Sequence, residues 1–157
     1  QMEDNSTALA TIRRDADRWR VYMGGAGNSQ ETLTVNESGN VGIKDSTPSY
    51  RLDVAGTIRA TSDVIAFSDE RVKENIKTID NSLEKVNKLR GVEFNKIGED
   101  TKSIGVIAQE VEKILPEVVR TDDEGMKSVA YGNVVGVLIE AVKELTKEVE
   151  ELKKQIK

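Results

Sequence analysis

The chain contains no cysteine and no histidine. Disulfides are thereby excluded, as are Cys/His zinc sites and every mechanism that depends on a histidine base. Aromatic residues make up 4% of the 157 positions, with one Trp and two Phe, and there are only two Pro. With hydrophobic residues at 37%, this is little material for a self-sufficient core, because burial of large apolar side chains is what offsets chain entropy. Association with copies of itself is therefore the first expectation. No apolar run reaches the length of a membrane-spanning helix, and the start of the chain lacks signal-peptide features. No acidic run has the EF-hand spacing. The net charge of −5 and the scattered basic residues argue against a nucleic-acid surface. The expectation is of no metal, no cofactor, no nucleic-acid partner and no membrane insertion. The lack of cysteine is compatible with the cytoplasm, and Gln1 as first residue reads as the start of a fragment.

What is present changes character near residue 68. Residues 1–67 read as short strands broken by turns. Trp19–Met23 alternates as a half-exposed strand does, Thr32–Val35 follows, and Val41–Ile43 and Arg51–Val54 are two more short strands. Asn36–Asn40 and Ser46–Ser49 supply turn residues. Strands this short and apolar-poor imply pairing with neighbouring chains. Residues 68–157 read as mixed α and β. Asn81–Glu84 resembles a capping box opening a helix with Gly91 as its stop. Val92–Phe94 and a buried Ser103–Ala108 are expected strands, Gln109–Leu115 a helix ended by Pro116, and Val118–Arg120 with Met126–Val129 a hairpin around Thr121–Gly125.

The last segment carries a heptad. Leu138, Val142, Leu145, Val149, Leu152 and Ile156 are spaced 4, 3, 4, 3, 4, with Leu at d and Val or Ile at a; Tyr131 and Val135 extend the pattern upstream. Glu148 at g and Lys153 at the next e can bridge two parallel helices. The plainer alternative is an amphipathic helix packed on its own domain, but beyond Leu145 only the a and d positions stay apolar. By itself the β-branched-a, Leu-d pattern favours a parallel dimer.

One run could carry chemistry: Ala66-Phe67-Ser68-Asp69-Glu70-Arg71-Val72-Lys73-Glu74-Asn75-Ile76. Without histidine, the remaining route to an activated serine is a lysine base. Lysine must be neutral to accept a proton, which burial or a nearby cation favours. Arg71 is close enough in sequence to be that cation, whereas Asp69, Glu70 and Glu74 would oppose it if they pointed at Lys73. The plain alternative is that Ser68 or Asp69 caps a helical turn while Lys73 is solvated.

The run Ser68–Ile76 resembles the start of the intramolecular chaperone domain of endosialidase-type phage tailspikes and tail fibres, a family of self-cleaving serine peptidases also found in the myelin regulatory factor. Arg90-Gly91-Val92-Glu93-Phe94, then Ile104–Val111, then Val129-Ala130-Tyr131 leading into Val137–Leu145, resemble further blocks of that family in order. Upstream, Gly39–Ile43 through Leu52–Ile58 is similar to a repeat of phage fibre shafts, although Lys44-Asp45 stands where Gly-Thr is usual.

The resemblance implies an α+β chain: a β-rich intertwined fibre stem over 1–67, then a small chaperone domain over 68–157 ending in a long coiled-coil helix from about 131. It implies a homotrimer that folds the upstream fibre portion of the same chain and then releases itself, leaving a virion tail fibre or spike. Ser68 would be the nucleophile, Lys73 its base, and Phe67, Ser68 and Asp69 the cleavage site. Asn75 and Gln109 are candidate oxyanion donors. The alternatives are a non-cleaving trimerisation cap, a fragment like the myelin regulatory factor in which the domain frees a DNA-binding portion, and a plain structural coiled coil.

Overall fold

A computed structural model describes residues 2–3, 9–14, 17–24 and 30–156. The chain divides into two compact units, Gln1–Phe67 and Ser68–Lys157.

The first unit is a six-stranded sheet of β1 (Met2–Glu3), β2 (Leu9–Arg14), β3 (Arg18–Gly24), β4 (Gln30–Asn36), β5 (Val41–Ile43) and β6 (Leu52–Val54), in that spatial order. All neighbours are antiparallel except β5 and β6. The central strands are six and seven residues long, longer than the apolar runs in the sequence. They pair as a meander within one chain, because hairpin turns bring consecutive strands together at little entropic cost. Asn36 closes the β4–β5 turn: its Oδ1 accepts from Asn40 N at 3.0 Å, and Gly39 takes φ +75° there. Gly42 has no substitute, since a Cβ at that position would lie 2.1 Å from the Asp45 carbonyl oxygen. Residues 57–67 form no strand and are exposed.

The second unit opens with a 3-10 turn, Glu70–Val72, and continues through α1 (Ser82–Lys88), the two-stranded sheet β7 (Val92–Asn95) and β8 (Lys102–Gly105), and α2 (Ala108–Val111). Pro116 starts a second 3-10 turn, followed by the hairpin β9 (Val119–Thr121) and β10 (Lys127–Val129) and by α3 (Tyr131–Gln155). The hairpin turn forms where expected: Asp122 Oδ1 accepts from Glu124 N and Met126 N, and Gly125 takes φ +83°. Val111, Leu115, Val118, Val119 and Val137 are the buried cluster, with Ile79, Val86, Leu89, Val106 and Val134 packed around it. This core contains no aromatic side chain, as the composition implies.

Three local expectations are corrected. Asn81 makes no capping bond with its side chain; it sits at φ +53°, in the left-handed region that Asn tolerates. The first-turn amides of α1 are capped from α3 instead, Ser82 N and Leu83 N donating to the Glu144 carboxylate at 3.0 and 2.8 Å. Two amides aimed at one carboxylate satisfy orphan donors that Asn81, already committed to the turn, cannot reach. The α1 helix ends at Lys88, before Gly91, because Leu89 turns extended to enter the core. Finally, Ile104 is 82% exposed where a buried strand is expected. A two-stranded sheet covers one face at most, and Ile104 lies on the uncovered one.

Candidate functional site

The serine and the lysine meet at the start of the second unit. Asp69 is the N-cap of the turn Glu70–Val72, its side chain accepting from Arg71 N at 2.9 Å. Lys73 N then donates to the Glu70 carbonyl at 3.0 Å, and the chain leaves the turn extended. One capped turn thus folds the backbone back far enough for the Lys73 side chain to reach Ser68. Lys73 Nζ lies 2.7 Å from Ser68 Oγ and 2.9 Å from the Ser68 carbonyl oxygen. Among the described residues these are the only hydrogen bonds of the Lys73 ammonium. Both plain alternatives are therefore modified: Asp69 does cap the turn, and Lys73 is held rather than loosely solvated.

Arg71 does not face Lys73. Its Nε and Nη2 donate to the two oxygens of Asp69 at 2.9 and 2.7 Å. That guanidinium contact holds the Asp69 carboxyl below the usual carboxylate range and raises Arg71 in return. The cation expected beside the lysine is thus engaged with the acid that would otherwise be its neighbour. Neither Asn75 nor Gln109 hydrogen-bonds Ser68 among the described residues; Asn75 instead takes a left-handed φ of 54°.

The site lies on the surface of the single chain. Phe67 is 80% exposed, and Val64, Ile65, Val72 and Ile76 are exposed as well. A serine hydroxyl within hydrogen-bonding distance of an amine is the geometry of a nucleophile and its base. Among the described residues no group of Asp or Glu is placed to hold a metal ion, and no helix is long and apolar enough to cross a membrane.

The α3 helix shows two faces. Val137 and Ala141 are buried, with Val134 beside the core cluster and Glu144 turned to α1. An adjoining strip leaves Leu138, Val142, Leu145, Val149, Leu152 and Ile156 exposed, together with Val135 and Ile139. The packed-helix reading thus holds for one face, while the heptad positions form an exposed apolar strip of their own. Ile139 at an e position widens the apolar strip beyond a and d, a signal that was present in the sequence and missed. Glu144 was missed as well, since an i-to-i+62 cap leaves no local pattern.

Residues 68–120 match the family model described as chaperone of endosialidase. A myelin gene regulatory factor-like protein of Dictyostelium discoideum is 31% identical over 150 residues, covering 82% of this chain and 16% of the relative. The long tail fiber protein Gp37 of Salmonella phage S16 is 35% identical over 106 residues, covering 60% of this chain and 14% of that protein. Its counterpart in Enterobacteria phage Ox2 is 35% identical over 102 residues, 59% of this chain and 41% of that protein. The chain thus covers less than half the length of each of these relatives. Of the Dictyostelium match, 82% of 157 is about 129 residues, and 68–157 holds 90, so at least about 39 matched positions precede Ser68.

Proposed function

We propose that the second unit is an intramolecular chaperone that trimerises a tail fibre through α3 and then releases itself by autoproteolysis at Ser68. The observation that carries the reading is the 2.7 Å contact between Ser68 Oγ and Lys73 Nζ, within a segment that matches the endosialidase-chaperone family model. The tail-fiber relatives support the nature of the cargo and, with it, a virion location after assembly in the host cytoplasm. The exposed strip widened by Ile139 supports three helices over two, since a third helix covers a wider seam.

In the reaction, neutral Lys73 takes the hydroxyl proton as Ser68 Oγ attacks the Phe67 carbonyl carbon through a five-membered ring. The Oγ–C bond forms, the C–N bond breaks, and the Ser68 amine receives the proton from Lys73. Water then hydrolyses the ester, freeing the Phe67 carboxylate and restoring the hydroxyl. Attack by Ser68 on its own carbonyl would need a strained four-membered ring. Attack from a neighbouring copy on the Ser68 carbonyl, which Lys73 Nζ also contacts, would instead cut before Asp69.

Assembly has a physical motive. Interleaving apolar-poor chains must meet loop-closure entropy before non-local contacts form. A C-terminal seam raises the effective concentration of the three ends, and removing it afterwards traps the product kinetically. The upstream reach of the Dictyostelium match favours a second reading, in which the same module releases a cargo other than a fibre.

Intact-mass spectrometry of the freshly folded chain beside Ser68→Ala tests the cleavage. Fragments of 67 and 90 residues from the wild type alone are expected. A 68 and 89 split would move the bond to Ser68–Asp69 and keep the nucleophile. A folded, trimeric and uncut wild type would leave a non-cleaving cap.

A further inference from the structure

We infer that Arg71 is a positioning residue for the serine–lysine pair, holding the Asp69 carboxylate in a fork so that it caps the Glu70–Val72 turn and stays off the Lys73 ammonium. The inference rests on the cleavage reading above and adds to it a residue that touches neither reacting atom.

The geometry gives Arg71 two separable effects. Among the described residues the Asp69 carboxylate accepts three hydrogen bonds, all from Arg71: one from the backbone and two from the guanidinium. The backbone bond shapes the turn that returns Lys73 to Ser68. The two side-chain bonds occupy both carboxylate oxygens, and a planar fork does this where an ammonium cannot. Asp69 is the residue next to Ser68. Without the guanidinium, its charge would be free to turn toward an ammonium whose hydrogen-bond partners, among the described residues, are both atoms of Ser68. A carboxylate close to a lysine stabilises the protonated form and removes it as a base. The other charged groups flanking Lys73 are Glu70 and Glu74 on its own segment, and no residue of the Glu70–Val72 turn is buried. Arg71 therefore assists a lysine base indirectly, by neutralising its neighbour.

The test follows self-cleavage of the full 157-residue chain. Unprocessed precursor held in denaturant is diluted into buffers from about pH 6 to 10, and the timed products are weighed. In Arg71→Met the limb on which the rate rises with pH is expected to move up by about one unit, which is about a tenfold loss below that limb. The rate at the alkaline plateau is expected to stay within about twofold. Adding Asp69→Asn, which keeps an oxygen for the cap and removes the charge, should return the limb to its wild-type position. Arg71→Lys, charged but unable to fork both oxygens, should fall between. An Arg71→Met loss uniform across pH, or a double variant that stays shifted, would overturn the positioning role and leave a structural one. If the double variant and wild type share a profile while Arg71→Met alone fails to fold, the positioning role is likewise overturned. An uncut wild type would instead defeat the cleavage reading itself, so the two failures are distinct.

Discussion

Leu145→Ala separates a helix that merely decorates its own domain from one that holds chains together. In the single chain Leu145 is 47% exposed, so about half of its side chain still has apolar surface to lose. Fully burying a leucine contributes about 1.5–3 kcal/mol. Covering the remaining half in a seam thus contributes about 1 kcal/mol per helix, or about 3 kcal/mol across three. Losing it should lower the trimerisation constant by roughly a hundredfold, at about 1.4 kcal/mol per factor of ten. The cavity left among three truncated side chains adds to that loss. In a lone chain the same change should fall within about 0.5 kcal/mol, because Leu145 fills no core and alanine favours helix. Sedimentation equilibrium of uncleaved Ser68→Ala, with and without Leu145→Ala, reads the constant directly. A melting temperature that falls on dilution, and falls further in the leucine variant, is the expected companion. An unchanged mass distribution would refute the seam, and a two-chain species in the parent would refute the trimer.

The Glu144 cap predicts an acid-sensitive junction. Hydrogen bonds from Leu83 N and then Ser82 N hold its carboxyl below the usual range, so its folded value lies under its unfolded one. The stabilisation is present above about pH 4.5 and is lost as the pH falls through the lowered value. Glu144→Gln should flatten that part of the stability-against-pH curve, as seen by circular dichroism melts between about pH 2 and 6. Two glycines should respond in opposite directions to alanine. At Gly136, within α3, a Cβ would make ordinary contact with Ile79 Cδ1 at 3.6 Å, so Gly136→Ala should stabilise by about 0.8–1 kcal/mol from helix propensity. Gly42→Ala would drive a Cβ into the Asp45 carbonyl and should destabilise the first unit, visible as loss of its near-ultraviolet Trp19 signal at lower temperature.

Much of the second unit was legible because its signals are local. The Thr121–Gly125 hairpin needs only Asp122 and Gly125 in the right register. The limits of α3 follow from a periodic run, and the Ser68–Lys73 meeting is confined to six consecutive residues. The misses are non-local. Asn81-Ser82-Leu83-Glu84 spells a capping box, yet the cap arrives from Glu144 on another helix. Ile104 reads as core because its run is apolar, but whether a face is covered depends on what packs against it. The strands of the first unit read too short because polar Arg18, Gln30 and Glu31 continue the ladder beyond the expected runs.

A turn of six residues has a consequence for timing. Loops of about ten residues close in about 10–100 ns, whereas subunits assemble over milliseconds to minutes. A newly made chain can therefore bring Ser68 to Lys73 long before it finds a partner, and the meeting of the two side chains carries no information about whether the fibre is finished. On the proposed function, the clock must lie in what surrounds the Lys73 amine. The ammonium is exposed to water in one copy and would be stripped of it by neighbours packing against Phe67, Val72 and Ile76, so that release is gated by hydration and not by shape.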